Sequence, residues 1–334
     1  MDALKKINPY KPTSLLDVEV NELKEDPFFD ISRHRRIHVF EHLSRTEGIL
    51  CPLWTYGSKT VTVVDGYNRL RWAREQGLGH VQCLVFPEDA DKCYLLLQKV
   101  VASAGFRKFD IFEKANVVKN LSRCLTPDEI KRRIFPILGI PAKPRMLKTL
   151  LKIASMPLDE IVVTLEGGVS ERTLMKLAWW NEESRACACK LFAKLRCSTN
   201  IQLEITEMIE DISRLEETSP ADVIDHESIR QVIEDDLLTQ RQKTEAVRRL
   251  LKQWLFPHLS EVEARFLEAK KQWKLPSGVR IEPPPFFEGD LWQITLSFSN
   301  AQELKDQLEK LAKSEIASQL EVFLGKDESS HKIT

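Results

Sequence analysis

The order of apolar and polar positions changes character along the 334-residue chain. Up to about residue 100, short β-branched or aromatic runs alternate with stretches of helical spacing, which is typical of a small α/β domain. Two such runs flank Gly57 and predict a β-hairpin. Strands are predicted at 15–20, 52–56, 60–64 and 81–86, and helices at 31–45 and 67–76.

Beyond residue 91 the apolar residues recur at helical spacing, and Gly or Pro marks the short turns between helices. Thr126 and Pro127, followed by two acidic residues, are a strong helix start. A basic helix is predicted at 144–154. Near the end of the chain, strand-like runs surround three consecutive prolines and precede a helix at 301–315.

This order predicts an α+β chain of five segments. The first is a small α/β N-terminal domain and the second an all-α domain, followed by a charged helical linker, a small ββα unit and a disordered tail. Their predicted bounds are 1–102, 103–200, 201–275, 276–325 and 326–334. Seven cysteines without a repeating framework favour reduced thiols over disulfides.

The formal net charge of −1 hides two blocks of opposite sign. Residues 107–152 hold 12 Lys and Arg against 4 Asp and Glu, a net charge of +8, whereas residues 204–236 hold 2 against 12, a net charge of −10. The basic block indicates a nucleic-acid partner. The acidic block is interpreted either as a solvated helical surface or as a segment that competes with DNA for the basic helices.

Neither a membrane span nor a secretory signal is indicated by the sequence. No apolar run approaches the roughly 18 residues that a spanning helix needs. The first 20 residues lack the apolar core of a secretory signal, so the expected location is the cytoplasm.

The stretch from Val63 to Arg74 places a strand, an Asp-Gly turn and a helix in immediate succession. Backbone N–H groups at the start of a helix, together with Arg69 and Arg71, favour a bound anion such as a phosphate. Gly66 allows a close approach because it has no Cβ. The alternative is a tight strand-to-helix turn with solvated arginines.

Several of these runs together resemble the ParB/sulfiredoxin-like superfamily, and within it the ParB family of partition proteins. The runs in the N-terminal domain are residues 49–53, 63–73 with Asp65, Gly66, Arg69 and Ala73, and 77–85 with a Leu-Gly pair before the last strand. Residues 105–115 are similar to the second ParB motif, and residues 125–157 to the ParB helix-turn-helix. The resemblance covers residues 15–200.

The resemblance implies a nucleotide-dependent, nucleoid-associated DNA-binding protein that acts in partition of a chromosome, plasmid or mobile element, or in transcription nearby. In this family two N-terminal domains bind CTP with a metal ion and close as a clamp around DNA. The implied cofactor is CTP with Mg²⁺. The implied partners, besides DNA, are a second copy of the chain in a homodimer and a partition ATPase. Carried over to this sequence, the nucleotide-binding residues are Gly66, Asn68, Arg69, Arg71 and Arg107.

The sequence also departs from the family pattern. Ser103 and Ala104 stand where ParB proteins usually have a Glu-Asn pair, so we expect nucleotide binding with a weak CTPase activity at most. Tyr67 occupies the place of the sulfiredoxin cysteine, and a phenol cannot attack as a thiolate does. Whether the chain is an enzyme stays open. The alternatives are a nucleotide-hydrolysing, phosphoryl-transferring or nuclease enzyme on the same fold, and a scaffold without nucleotide binding. No catalytic residue is assigned.

The second helix of the predicted helix-turn-helix presents cations for DNA. Their spacing places three of them on one face, where they suit phosphates or guanine edges. The alternative is a solvated charged face opposite the apolar stripe. The predicted DNA-binding residues are Lys143, Arg145, Lys148 and Lys152.

Two groups of possible metal ligands, one of histidines and one of cysteines, are not interpreted as metal sites. His34, His38 and His42 share a helical face but lack an acidic or thiol partner, so no metal site is assigned. The cysteines within 187–197 do not form a zinc set and are expected as core thiols.

Aromatic and apolar runs outside the motifs leave further alternatives open. The aromatic pairs at 179–180 and 286–287 either pack in a core or stack on bases. The apolar stripes within 247–273 and the final ββα unit are candidate dimer surfaces.

Overall fold

The computed structural model describes residues 11–32, 49, 51–58, 60–273, 275–289, 291–313 and 315–327. By its internal contacts the chain divides into two compact units, Met1–Leu203 and Glu204–Thr334. Most of the helix predicted at 31–45, including His34, His38 and His42, lies outside the described residues. Within the described ranges, no helix is both long enough and apolar enough to cross a membrane.

The first unit is built on a mixed five-stranded sheet. Its strands are β1 (Ser14–Glu19), β2 (Lys24–Glu25), β3 (Leu53–Tyr56), β4 (Thr62–Asp65) and β5 (His80–Phe86). They lie in the order β1-β5-β3-β4-β2, with β3 parallel to β5 and antiparallel to β4. The predicted hairpin is therefore confirmed, and Thr55 faces Val63 across it.

Three helices of the first unit follow the sheet strands closely in sequence. They are α1 (Tyr67–Glu75), α2 (Lys92–Ala104) and α3 (Ile111–Leu121). Asp91 caps α2 by accepting a hydrogen bond from the backbone N–H of Tyr94. Asp110 and Glu113 form a capping box at the start of α3, which fixes where that helix begins.

Six further helices complete the first unit. They are α4 (Pro127–Glu129), α5 (Phe135–Ile137), α6 (Met146–Ile153), α7 (Leu158–Glu166), α8 (Glu171–Leu177) and α9 (Glu182–Leu195). A π-helical turn, Ile130–Ile134, joins α4 to α5. After α5 the N–H of Ile140 donates to the carbonyl of Phe135 across Gly139, whose φ is +63°. This is a Schellman helix end, and it frees α6 to start in a new direction.

One hydrophobic core extends through the sheet and the helices of the first unit. Its members run from Val18 on β1 to Ala178 after α8, and Phe29, Phe112 and Phe135 are almost completely enclosed. Burying a side chain of this size contributes roughly 1.5–3 kcal/mol. Because the three rings come from a loop, α3 and α5, the first helices are packed firmly against the sheet.

The second unit begins at Glu204, inside α10, and its first helices pair charges and apolar faces with one another. They are α10 (Thr199–Leu215), α11 (Pro220–Ile224), α12 (Glu227–Glu234), α13 (Gln240–Leu255) and α14 (Pro257–Gln272). In the acidic block, both carboxylate oxygens of Glu204 accept hydrogen bonds from Arg248 on α13, at 2.9 and 3.0 Å. The apolar stripe of α13 is also used internally, because Val247 and Leu251 are completely buried.

The end of the chain contains two strands and two helices. They are β6 (Val279–Glu282), β7 (Gln293–Leu296), α15 (Ala301–Ala312) and α16 (Ile316–Asp327). The strands pair antiparallel. The sequence analysis predicted only one helix here, so α16 is an addition to the expected ββα unit. Residues 328–334 of the predicted disordered tail lie outside the described residues.

Aromatic rings form the core of this last part. Five rings meet with centroids 5.5 to 6.2 Å apart, mostly edge to face. They belong to Phe266, Trp273, Phe287, Trp292 and Phe323. The rings of Phe266 and Phe323 show that α14 and α16 complete the core beneath the two strands.

Two of the cysteines are joined. Cys93 on α2 and Cys124, just after α3, form a disulfide, so the expectation of reduced thiols is wrong for this pair. The two residues are 31 positions apart, and only the packing of α2 against α3 brings their Cα atoms to 6.5 Å. Burial raises the pKa of the Cys83 and Cys189 thiols to about 11, which keeps both protonated at neutral pH.

Candidate nucleotide and nucleic-acid sites

Gly66 is the one residue between the end of β4 at Asp65 and the start of α1 at Tyr67. Its φ is +103°, in the left-handed region that favours glycine. A Cβ at this position would lie 2.8 Å from Cγ of Leu53 and 3.0 Å from Nη2 of Arg69. The glycine is therefore required by the tight turn itself, whether or not an anion binds there.

Arg69 fastens this turn to the preceding loop. Its Nη1 donates to the carbonyl oxygens of Cys51 and Pro52, both at 2.7 Å, and its Nη2 donates to Asp65 at 3.0 Å. The side chain is only 15% exposed. The guanidinium of Arg69 thus holds β3, β4 and α1 together, which is a structural use of a residue that the sequence analysis assigned to phosphate.

Lys99 lies directly beneath the turn and was missed by the sequence analysis. Its ammonium donates to the carbonyls of Phe29 at 2.8 Å and Val64 at 3.0 Å, and lies 3.4 Å from Asp65. Burial lowers the pKa of this nearly inaccessible lysine, and the nearby carboxylates oppose that shift only in part. One feature of the sequence could have indicated a role for Lys99: it lies among the apolar residues of α2, and a buried charge without a partner is costly.

Arg71 and Tyr67 join α1 to the loop after β2. Arg71 donates a hydrogen bond to the largely buried carboxylate of Asp30. The hydroxyl of Tyr67 lies 2.8 Å from the carbonyl of Asp26 and accepts from its N–H at 3.1 Å. Burial raises the pKa of Tyr67, so the hydroxyl keeps its proton. Tyr67 therefore packs in the core and connects α1 to this loop.

Arg107 belongs to a second ionic group at the start of α3. Its Nη1 donates to Glu113 at 2.8 Å, and its guanidinium lies 4.6 Å from the ring centroid of Phe109. Glu113 is completely buried and also accepts a hydrogen bond from Ser32. Arg107 itself is about one-third exposed. Of the three arginines in the predicted nucleotide set, it is the one with the most accessible side chain.

The structure pairs every arginine of this set with a carboxylate. The pairs are Arg69 with Asp65, Arg71 with Asp30, and Arg107 with Glu113. The ammonium of Lys99 lies beside the same Asp65, so the Gly66 turn holds one more cation than the arginine–carboxylate pairs alone. A nucleoside triphosphate brings several negative charges, and a metal cation that binds together with the nucleotide would help to balance them. Asn68, half-buried in the first turn of α1, completes the predicted set.

The end of α2 carries no group for metal chemistry. Ser103 and Ala104 close this helix, and the carbonyl of Ser103 accepts the N–H groups of Phe106 and Arg107. Within the part of the chain that the structure describes, no cluster of three or more His, Cys, Asp or Glu residues could hold a metal ion. The nearest carboxylate to the Gly66 turn is that of Asp65, which already contacts Arg69 and Lys99.

The predicted DNA-binding residues lie on and just before α6. All four, Lys143, Arg145, Lys148 and Lys152, are exposed. On the opposite face of α6, Leu150 and Ile153 are buried in the core. The spacing of Arg145, Lys148 and Lys152 places these three on one face, and Lys143 precedes the helix; we call the four exposed cations the α6 basic surface.

Trp179 lies beside the α6 basic surface, in the turn after α8. The guanidinium of Arg145 and the ammonium of Lys152 lie 5.5 and 5.2 Å from its ring centroid. Its Nε1 donates to Oγ1 of Thr149 at 3.1 Å. Trp179 remains 42% exposed, so core packing does not account for it.

The chain is similar to solved structures of one family. The C-terminally truncated chromosome-partitioning protein ParB from Caulobacter crescentus complexed with CTP-γ-S shares 16% identity, with a TM-score of 0.24 and coverage of 54% of this chain and 98% of that one. The complex of that truncated ParB with the centromeric parS site shares 17% identity, with a TM-score of 0.32 and coverage of 56% of this chain and 96% of that one. A Pnob8-like ParB-N domain shares 18% identity, with a TM-score of 0.35 and coverage of 70% of this chain and 97% of that one. All three are ParB structures.

These matches name the same family that the motifs resemble. The chain matches no protein-family model and no curated relative. Because the identities are below 25% and the TM-scores below 0.5, the proposals below rest on the residues of this chain alone.

Proposed function

We propose that this protein is a ParB-like DNA-binding protein that acts in partition of a chromosome, plasmid or mobile element, or in transcription nearby. The observation that carries the proposal is the α6 basic surface, with its four exposed cations opposite a buried face. Lys and Arg on one face of a short helix are suited to phosphates and to the edges of guanine. In this proposal α6 is the second helix of a helix-turn-helix, after the α4–α5 stretch.

Binding to duplex DNA at increasing salt tests this function. We expect the logarithm of the affinity to fall linearly with the logarithm of the salt concentration, because phosphate contacts release counterions. Lys148→Gln is expected to weaken binding several-fold and to reduce the slope by about one. The measurement is fluorescence anisotropy with a labelled duplex between 50 and 200 mM salt.

Lys190→Gln is the matched control for this experiment. Lys190 is an exposed lysine of α9 outside the basic block, so its loss changes net charge equally without touching the α6 basic surface. Equal effects of the two substitutions would show that DNA responds only to net charge. A protein that binds no DNA at low salt would contradict the proposal.

We further propose that CTP with Mg²⁺ binds at the Gly66 turn and at Arg107. The start of α1, where no side chain caps the helix, and the partly exposed guanidinium of Arg107 support an anion there. The metal ion is part of the proposal because it offsets part of the negative charge of the triphosphate. The residues proposed to contact the nucleotide are Gly66, Asn68, Arg69, Arg71 and Arg107.

Calorimetric titration with each nucleoside triphosphate tests this site. We expect CTP to bind only with Mg²⁺, more tightly in the presence of DNA, and with little phosphate release. Arg107→Gln is expected to lower the affinity at least tenfold, and it is a better probe than a change at Arg69, whose loss would also disturb the turn. Lys190→Gln serves again as the control.

The outcomes of this titration also separate the alternatives. Rapid phosphate release without DNA would favour the nucleotide-hydrolysing enzyme. Unchanged binding by the Arg107→Gln variant would show that the nucleotide site lies elsewhere. No binding of any nucleotide would favour the scaffold.

We propose that the homodimer forms through the end of the chain. The stripes predicted as dimer surfaces at 247–273 place Val247, Leu251 and Phe266 in the core of the second unit. By contrast, Ile294 on β7 and Phe298, two residues after the end of that strand, are each about half exposed. Such an uncovered strand is suited to pairing with a second copy. Sedimentation of an Ile294→Lys variant tests this surface. A partition ATPase remains a proposed further partner.

A further inference from the structure

Trp179 presents an ordered aromatic plane next to two cations of the α6 basic surface. Its ring centroid lies 5.5 Å from the Arg145 guanidinium and 5.2 Å from the Lys152 ammonium. Arg145 and Lys152 are seven residues apart, two helical turns, so they project from the same face of α6. The turn after α8 therefore brings the indole next to cations of α6, which lie about 30 positions earlier in the sequence.

The orientation of the indole is fixed by hydrogen bonds that point inward. Its Nε1 donates to Oγ1 of Thr149, a residue that is only 5% exposed. The same Oγ1 donates to the carbonyl of Arg145 at 3.0 Å, so Thr149 is itself held in place. Because the only polar atom of the ring donates to Thr149, the part of the Trp179 ring that is exposed is apolar.

A single exposed apolar side chain needs no partner. Here three features coincide: the indole is held by its hydrogen bond, two cations lie over its ring, and it adjoins the surface proposed to bind DNA. A nucleotide offers the complementary features, namely a flat or apolar sugar–base face and a phosphate beside it. An acidic peptide would satisfy the cations but leave the plane uncovered.

We propose that Trp179, Arg145 and Lys152 form one nucleic-acid contact, in which the indole packs against a sugar or base and the two cations contact the flanking phosphates. The proposal rests on the proposed DNA-binding function and adds a contact that is not electrostatic. Aromatic contact with sugar or base does not release counterions, whereas each phosphate contact does. The two kinds of contribution are therefore separable by their dependence on salt.

The test compares Trp179→Leu with Arg145→Gln and Lys152→Gln, using labelled duplex and single-stranded DNA of the same length. Trp179→Leu is expected to weaken binding about tenfold at every salt concentration, with an unchanged slope. The two charge variants are expected to lower the slope by about one each. Trp179→Phe keeps an aromatic plane and is expected to stay within about threefold of the unsubstituted protein. A larger effect on the single strand would identify an unpaired base as the group on the ring, and a larger effect on the duplex would identify the backbone sugar.

A second measurement covers the case in which Trp179→Leu does not fold. The difference in tryptophan emission between the unsubstituted protein and Trp179→Phe reports on Trp179 alone, and we expect DNA to quench it. Unchanged affinity in the Trp179 variants, with a loss of slope in the charge variants, would overturn this proposal and leave the proposed function standing. Equal quenching by an acidic polypeptide would also overturn it. Absence of any DNA binding would remove both.

Discussion

Replacing Arg185 by methionine is expected to lower the free energy of unfolding by about 3–5 kcal/mol. Arg185 on α9 donates to both oxygens of Glu160 on α7, at 2.6 and 3.0 Å, and both side chains are largely buried. The hydrogen bonds to Glu160 raise the pKa of Arg185, so its guanidinium keeps its charge. Methionine fills a similar volume but leaves a carboxylate buried without its cation. Urea unfolding followed by circular dichroism measures the loss.

The structure supplies a matched control for this prediction. Arg214 and Asp211 form an ion pair at 2.6 Å within one helix turn, and both are well exposed. Arg214→Met makes the same chemical change and is expected to cost less than about 0.5 kcal/mol, because solvent screens an exposed pair. Hydrogen exchange of α7 and α9 assigns the loss to this part of the chain. Similar losses in the two variants would contradict a special role for the buried pair.

Replacing Gly66 by alanine is expected to destabilise the protein by about 3 kcal/mol in the absence of any nucleotide. One contribution is the left-handed backbone, with a φ of +103°. The other is steric: the new Cβ would lie only 2.8 Å from Cγ of Leu53 and 3.0 Å from Nη2 of Arg69, which is closer than van der Waals contact allows. Because Arg69 ties three elements together, its displacement would loosen the loop before β3 as well.

Gly77→Ala is the control for the Gly66 substitution. Gly77 also has a positive φ, +67°, but no atom lies within 4 Å of the place of its Cβ. Its replacement is expected to cost about 1 kcal/mol for the backbone alone. If Gly66→Ala were no more costly than Gly77→Ala, the turn would tolerate a side chain, and the glycine would be explained by a ligand instead.

Local signals in the sequence predicted most of the secondary structure. The hairpin around Gly57 and the helix start at Thr126 depend on residues a few positions apart. Such signals act within one turn or one hairpin, so they are readable before anything is known of the packing. The sequence analysis did not predict α16, which follows the single helix expected in the ββα unit.

The residues that contact the side chains of the candidate site could not be predicted from such local signals. Arg71 and Asp30 are 41 positions apart, Lys99 and Phe29 are 70 apart, and Ser32 and Glu113 are 81 apart. The motif around Gly66 led to Arg69 and Arg71, and the resemblance of residues 105–115 led to Arg107, but neither indicated the carboxylates and the lysine that surround them. Those neighbours decide whether an arginine is available to a phosphate.

The sequence by itself determined where the chain turns and caps, which face of α6 is charged, and which family the motifs resemble. These properties follow from residue type and spacing along one element. Only the tertiary structure decided that Arg69 is committed to the loop carbonyls, that Cys93 meets Cys124, and that Trp179 lies against Arg145. Contacts of that kind depend on how separate elements pack around a shared core, and no local pattern encodes the distance between them.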